Sequence, residues 1–593
     1  VLALVLPQLL SCRAQVQDPP PGRGPSASKA LGRLFEDYYE QRLALFPLEA
    51  TLNGDHRYDD RLADDISDGH RSQQAALASE YSRRLAEIDR RGLSEPDRLS
   101  YDVLRSDLAR MRDGLRFPEH WLPVGKMDDL PTSFARLGSG TDIQPFRTVK
   151  DYEHFLGRAR DFGVWADTAI ENMRKGMAGG VVQPRAIMDK SVTQMEALLV
   201  TDVQKSVFYQ PILHMPADFN DSDTARLTQA YARAIQEQIV PAYQRLTTFI
   251  RREYLGRCRP TVGLSALPDG RRWYEQIVRY YTTTDLTPEQ IFDLGVSEVS
   301  RIRQEMQSLK EKEGFSGDLA AFAGHLEETT ATYRTKADLI AAYNAVRARV
   351  EPNLGRLFGR LPAAQFEIHP VPEFCEATSS TQMSPASPDG SRPAVFYVNA
   401  AGIQSAPQSI SEAIFIHETV PGHHLQLAIA SEQQDLPSFR RFESYDAYGE
   451  GWALYAESLG PELGCYRDAG QHLKSLAEEM LRARRLVVDT GLHAKGWTRD
   501  RALKYLLETP GFSRTEAELE VDRYIGWPGQ ALSYKVGQLR IASLRARAQK
   551  VLAGRFDLRS FHDEILKDGA LPLDILDAKM DRWIISQEVR AEK

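Results

Sequence analysis

The stretch IFIHETVPGHHLQ, residues 414–426, sets His417 and Glu418 side by side. After Pro421 and Gly422 it follows them with His423 and His424. Imidazole nitrogens and carboxylate oxygens are ligands that hold zinc, and a glutamate beside the first histidine is placed to take a proton from water. In the pattern HExxH, two histidines one helical turn apart converge on one ion. Here the second histidine is due at 421, which is proline. On a regular helix His417 and His423 would stand about 120° apart around the axis and roughly 9 Å apart along it, too far to share a metal. His417 and His424 would share a face but be separated by roughly 10.5 Å of rise. A regular helix is excluded, because Pro421 has no N–H for the carbonyl of His417 and its ring clashes there. Gly422 then permits unusual backbone angles. A widened, π-like turn that absorbs two extra residues would carry His423 to the place of the usual second histidine. His424 stays open as the alternative ligand.

A third ligand must come from another element. SYDAYGEGWALYAESLG (444–460) offers Glu450 between two glycines, where a neighbouring helix can approach closely. Glu457 lies seven residues on and shares its helical face. The aromatic residues around both, Tyr448, Trp452 and Tyr455, call for burial, and a buried carboxylate calls for a cation. Farther along, Tyr534 in SYKVG is a candidate second donor to a developing oxyanion. Lys535 or Arg540 could instead hold a substrate carboxylate. Asp489 and His493, one turn apart, read either as support for the metal shell or as plain core hydrogen bonding.

The elements that must position these residues are mostly helical. SKALGRLFEDYYEQRLALF (28–46) carries an apolar stripe, and two following amphipathic stretches read as an antiparallel pair. A long helical pattern at 224–255 contains Pro241, where a kink is expected. TPEQ opens another helix with a Thr cap, Pro at the first helical position and Gln290 at the capping-box position; Gly314 closes it. Between 361 and 408 the texture changes. FEIHPVPEF and AVFYVNAAG are short and rich in β-branched and aromatic residues, joined by a polar loop, so a small hairpin or sheet is expected. FYVNAAG could offer an edge strand to an extended peptide. No fixed-period repeat is present.

The chain has 593 residues, a net charge of −8 and 42% hydrophobic residues. That length suggests more than one lobe, and the acidic balance argues against a nucleic-acid partner. The basic run RARRL (482–486) reads as a helix face. The apolar start VLALVLPQLLSC fits the hydrophobic region of an export signal, and LLSC is lipobox-like, with Cys12 as a possible lipid anchor. The expected location is therefore exported, as a periplasmic or outer-membrane-associated lipoprotein. Residues 1–12 are read as this signal, 13–27 as a flexible linker, 28–360 as a helical lobe and 361–593 as the zinc-site lobe, intertwined in one fold. The four cysteines give no disulfide framework, although one bridge among Cys258, Cys375 and Cys465 is compatible with the sequence.

HETVPGHH (417–424), YGEGWALYAE (448–457), RLVVDTGLHAKGW (485–497) and PGQALSYKVG (528–537) occur in order. Together they resemble the bacterial family known as domain of unknown function 885, from about residue 30 to the end. That family is similar to helical zinc peptidases of the thermostable-carboxypeptidase and angiotensin-converting-enzyme type, which place a glutamate a couple of dozen residues after HExxH. The resemblance implies a mainly α, large two-lobed metallopeptidase-like fold with a small β-sheet near the active-site cleft. It implies one Zn2+ per chain on His417, His423 and Glu450, with Glu418 as base and a peptide as substrate. The competing classes are a zinc hydrolase of another amide or ester and a metal-free binding lipoprotein that kept the fold.

Overall fold

The computed structural model describes residues 24–125, 129–372, 376, 380–386, 392–509 and 512–590. The export signal, Cys12, most of the expected linker and Cys375 lie outside them. The linker's described end, from Gly24, is already helix, part of Gly24–Leu45. Cys258 and Cys465 are free thiols.

Helices dominate, and their starts follow local chemistry. Ser67, Ser94, Asp468 and Thr498 each accept a hydrogen bond from a first-turn N–H. Thr287 and Gln290 form the expected capping box of Pro288–Lys312, and Gly314 follows its end with φ +67°. The antiparallel pair is Asp68–Ala86 and Glu95–Gly114, packed on each other. The helical run beginning at Asp221 passes through a π turn, Ile235–Ile239, just before Pro241. There the N–H of Val240 reaches the Ile235 carbonyl, five residues back, and the widened turn accommodates the proline.

The sheet has three strands, β1 (Phe366–Pro370), β2 (Gln382–Ser384) and β3 (Ala394–Val398), in the order β1-β3-β2. β1 runs parallel to β3, and β2 pairs antiparallel with it. FEIHP and AVFYV therefore do not form a hairpin with each other. The stretch read as their joining loop supplies β2, and β3 is central. The edge beside the site is β2, so the expectation of an edge strand at FYVNAAG is corrected: both its sides are already paired.

One apolar core runs from Leu31 to Ile584 and includes β1, β3, Phe415, Trp452 and Val536. A second lies within residues 62–255 around Phe134, Phe162 and Tyr243. Residues 28–360 and 361–593 share the first. At its centre the helices Asp446–Glu457 and Ser533–Leu552 cross at two glycines. A Cβ on Gly451 would sit 2.4 Å from the Gly537 Cα, and one on Gly537 would sit 1.9 Å from the Ala447 carbonyl oxygen. This is the close approach that the glycines beside Glu450 suggested. Among the described residues no helix is long and apolar enough to cross a membrane.

Replacing Gly537 by alanine should force these helices apart and cost about 1–3 kcal/mol. A denaturation midpoint equal to that of the native chain would show the crossing to be slack.

Candidate metal centre

The first helix of the site, Glu412–Glu418, is capped by Ser411, whose side chain accepts from the Ile414 N–H. It ends where proline stops it. Thr419 leaves helical angles at φ −109°, ψ −110°, the Val420–Pro421 bond is cis, and a new helix, His423–Ser431, begins after Gly422. Two hydrogen bonds cross the gap: Gly422 N to Ile416 O, 3.0 Å, and Leu425 N to Thr419 O, 3.4 Å. Each spans six residues where an α-helix spans four. The two extra residues are thus absorbed, but by a break and restart, which corrects the expected π-like bulge inside one helix. Pro421 lacks the N–H that a continuous ladder needs at this point. Gly422 is required, since a Cβ there would lie 1.9 Å from the His417 carbonyl oxygen. Trp452 clamps the turn by donating Nε1–H to the Pro421 carbonyl at 2.9 Å.

This turn sets the His423 ring 4.8 Å from that of His417, at 87°. Glu450 arrives from the Asp446–Glu457 helix, its Oε2 3.5 Å from His417 Nε2 and 3.3 Å from His423 Nε2. One ligand atom from each of the three lies within 4.8 Å of the others. Glu450 Oε2 is buried and faces the two imidazoles at ion-pair distance without a close hydrogen bond of its own among the described residues, an arrangement that a cation between the three would satisfy. Two imidazoles and a carboxylate are a donor set suited to zinc. Glu457, one face-repeat farther along the same helix, accepts from His417 Nδ1 at 2.7 Å. That bond fixes the ring and leaves Nε2 for the shared point. Burial acts against a charged His417, but Glu450 and Glu457 outweigh it and push its pKa up to about 9. Burial likewise opposes charge on Glu450, and His423 and His417 overcome it, holding Glu450 well below the carboxylate range. A metal must displace the imidazolium proton, so its affinity falls as pH falls.

His424 points elsewhere. It is buried against the Phe366 ring, and its Nε2 bonds the Ala364 carbonyl at 3.1 Å. Glu418 follows His417 directly, and its Oε2 accepts the Met383 N–H of β2 at 2.8 Å, which ties it to the sheet. Tyr534 stacks on the His417 ring at 6.3 Å and 15°. Lys535 is fully buried and bound to Glu479 and Glu298 at 2.6 and 2.9 Å, while Arg540 pairs with Asp577 at 2.8 Å. Both cations are committed to protein carboxylates, so the expectation that either takes a substrate carboxylate is set aside. Asp489 accepts from Tyr274 and Gly529, and His493 bonds Leu264 N and the Tyr524 carbonyl. These are core contacts, one of the two readings above.

Sequence reasoning missed the arginines around Tyr534. In the run read as a helix face, Arg482, Arg484 and Arg485 are all buried, and Arg485 lies 4.5 Å from the Tyr534 ring centre. Arg523 donates to the Tyr534 hydroxyl at 3.1 Å. The available signal was Val487 and Val488 straight after the basic run, which place that helix in the core. A surface cavity of about 460 Å³, lined by Arg349, Glu412 and Gln471, opens at the far end of the His417 helix and does not contain the cluster.

His417→Ala, His423→Ala and Glu450→Ala should each lose zinc by elemental analysis and melt earlier, because binding favours the folded state. His424→Ala should retain one zinc per chain; full occupancy in His423→Ala would overturn the ligand set. Glu457→Gln should keep zinc but bind it about 10–100-fold more weakly, as a chelator competition would read.

Comparison with solved structures places the whole fold. A candidate lipoprotein of Colwellia psychrerythraea is 26% identical, with a TM-score of 0.86, over 94% of this chain and 99% of that one. A candidate lipoprotein of unknown function from Shewanella oneidensis is 18% identical, with a TM-score of 0.72, over 93% and 99%, a likeness of fold. No curated protein matches the chain. The family profile described as "Bacterial protein of unknown function (DUF885)" matches residues 47–580. That span contains both helices of the broken turn, the Glu450 helix and Tyr534, and the chain belongs to this family.

Proposed function

We propose that the chain is a zinc-dependent peptidase. The observation that carries this reading is the convergence of His417 Nε2, His423 Nε2 and the buried Glu450 Oε2 on one point. His417, His423 and Glu450 would hold the ion, oriented through Glu457. When bound there, zinc supplies Lewis acidity to a carbonyl oxygen and brings the acidity of water toward neutral pH.

The chain's own groups do the rest. Glu418, next in sequence to a ligand, is placed to take the proton of the attacking water and to return it to the leaving amine. The Met383 N–H holds that carboxylate in a fixed direction, so little reorganisation is needed at the moment of transfer. The Tyr534 hydroxyl is the donor for the oxygen that gains charge. β2, the sheet edge beside Glu418, is the element against which an extended peptide would lie. The apolar N-terminal run ending at Cys12, with the lipoprotein descriptions of the two solved relatives, supports an exported, lipid-anchored location. Short peptides outside the cytoplasm are then the natural substrate.

Glu418→Gln should retain zinc and nearly all stability while activity on a blocked-peptide panel drops by at least about 100-fold. Undiminished hydrolysis by that variant would remove Glu418 from the chemistry. Full zinc with cleavage of esters or other amides, and never of peptides, would favour a different hydrolase. Absence of bound zinc would favour a binding lipoprotein.

A further inference from the structure

Tyr534 is held from two directions. Its ring packs against His417 and against the Arg485 guanidinium, which is itself fixed by Glu520 through Nε and Nη2 at 3.1 and 3.2 Å. Its hydroxyl accepts from Arg523 Nη2 at 3.1 Å. The same nitrogen donates to Gln530 Oε1 at 2.7 Å, and Gln530 is buried. Arg523 Nη1 stands 3.5 Å from Glu520. The guanidinium is therefore held through both terminal nitrogens, and the Tyr534 oxygen shares Nη2 with Gln530.

A phenol that accepts from an arginine must send its own hydrogen elsewhere. Among the described residues, no hydrogen bond donated by the Tyr534 hydroxyl is present. Hydrogen bonds in a chain polarise one another, and a charged donor polarises most. A hydroxyl that receives one from a guanidinium becomes a stronger donor, with its direction set by the lone pair already taken.

We propose that Arg523 is a positioning residue that acts through Tyr534, aiming and strengthening its O–H as the donor to the oxygen gaining charge in the reaction. This rests on the peptidase reading above. The rival role is direct: the Arg523 side chain, 19% exposed, would grip a carboxylate of the substrate. The two roles differ in what a second substitution does.

The test is a double-mutant cycle on the zinc-loaded full chain with Arg523→Gln, Tyr534→Phe and both together. Zinc content and melting temperature are checked first, and Arg523→Lys serves as the conservative variant. Tyr534→Phe should lower kcat by about 100-fold or more, as for loss of an oxyanion donor. Arg523→Gln should lower kcat by roughly 10-fold with KM nearly unchanged, Arg523→Lys should recover part of it, and the double variant should be no worse than Tyr534→Phe alone. The same cycle read by calorimetry with a peptide phosphinate, a tetrahedral mimic, should show the same non-additivity. Multiplying losses, or a rise in KM confined to peptides with a free carboxylate, would overturn the proposal. If the native chain binds zinc and the phosphinate but cuts no peptide, the peptidase reading fails, while the phosphinate cycle still decides whether Arg523 works through Tyr534.

Discussion

The site depends on one local constraint, the inability of Pro421 to continue the helix that carries His417. The break lengthens the hydrogen-bonded step from four residues to six and starts a second helix at His423. Everything else in the cluster is fitted to that turn. Gly422 is present because the His417 carbonyl leaves no room for a Cβ, and Trp452 is placed to hold the Pro421 carbonyl. Trp452 also belongs to the helix that delivers Glu450, so the element that shapes the turn is the one that completes the cluster.

Three glutamates meet within this region, and their partners assign them different work. Glu450 turns one buried oxygen, Oε2, toward both imidazoles. Glu457 has the same chemistry seven residues later but meets His417 from the Nδ1 side, where it orients the ring. Glu418 is turned to the sheet and held by a backbone N–H. The Gly451–Gly537 crossing lets the Tyr534 helix lie close enough to the Glu450 helix for a phenol to stack on His417.

Much of the fold was legible in the sequence because caps and periodicity are local. Thr287 with Gln290, the helical pair after residue 68, and the change of texture near 361 all correspond to elements that form. The sheet's topology was not legible. Parallel pairing of FEIHP with AVFYV, and the recruitment of Gln382–Ser384 as the third strand, depend on which segments the rest of the fold sets beside β3. The burial of Arg484 and Arg485 was signalled only by the valines that follow them, since charge alone suggests solvent and their partners, the Tyr505 carbonyl and Glu520, lie on later elements.

By itself the sequence determined the donor types, their order along the chain and the fact that a regular helix could not join them. Those follow from side-chain chemistry and from proline's missing N–H. Tertiary structure decided which of two adjacent histidines faces Glu450, since His424 is claimed by Phe366 and the Ala364 carbonyl some sixty residues away. It also decided that Lys535 stays structural while its neighbour Tyr534 reaches the cluster. Lys535 finds Glu298 and Glu479 on two other helices, and contacts between residues so far apart in the chain are fixed by packing, which no local pattern records.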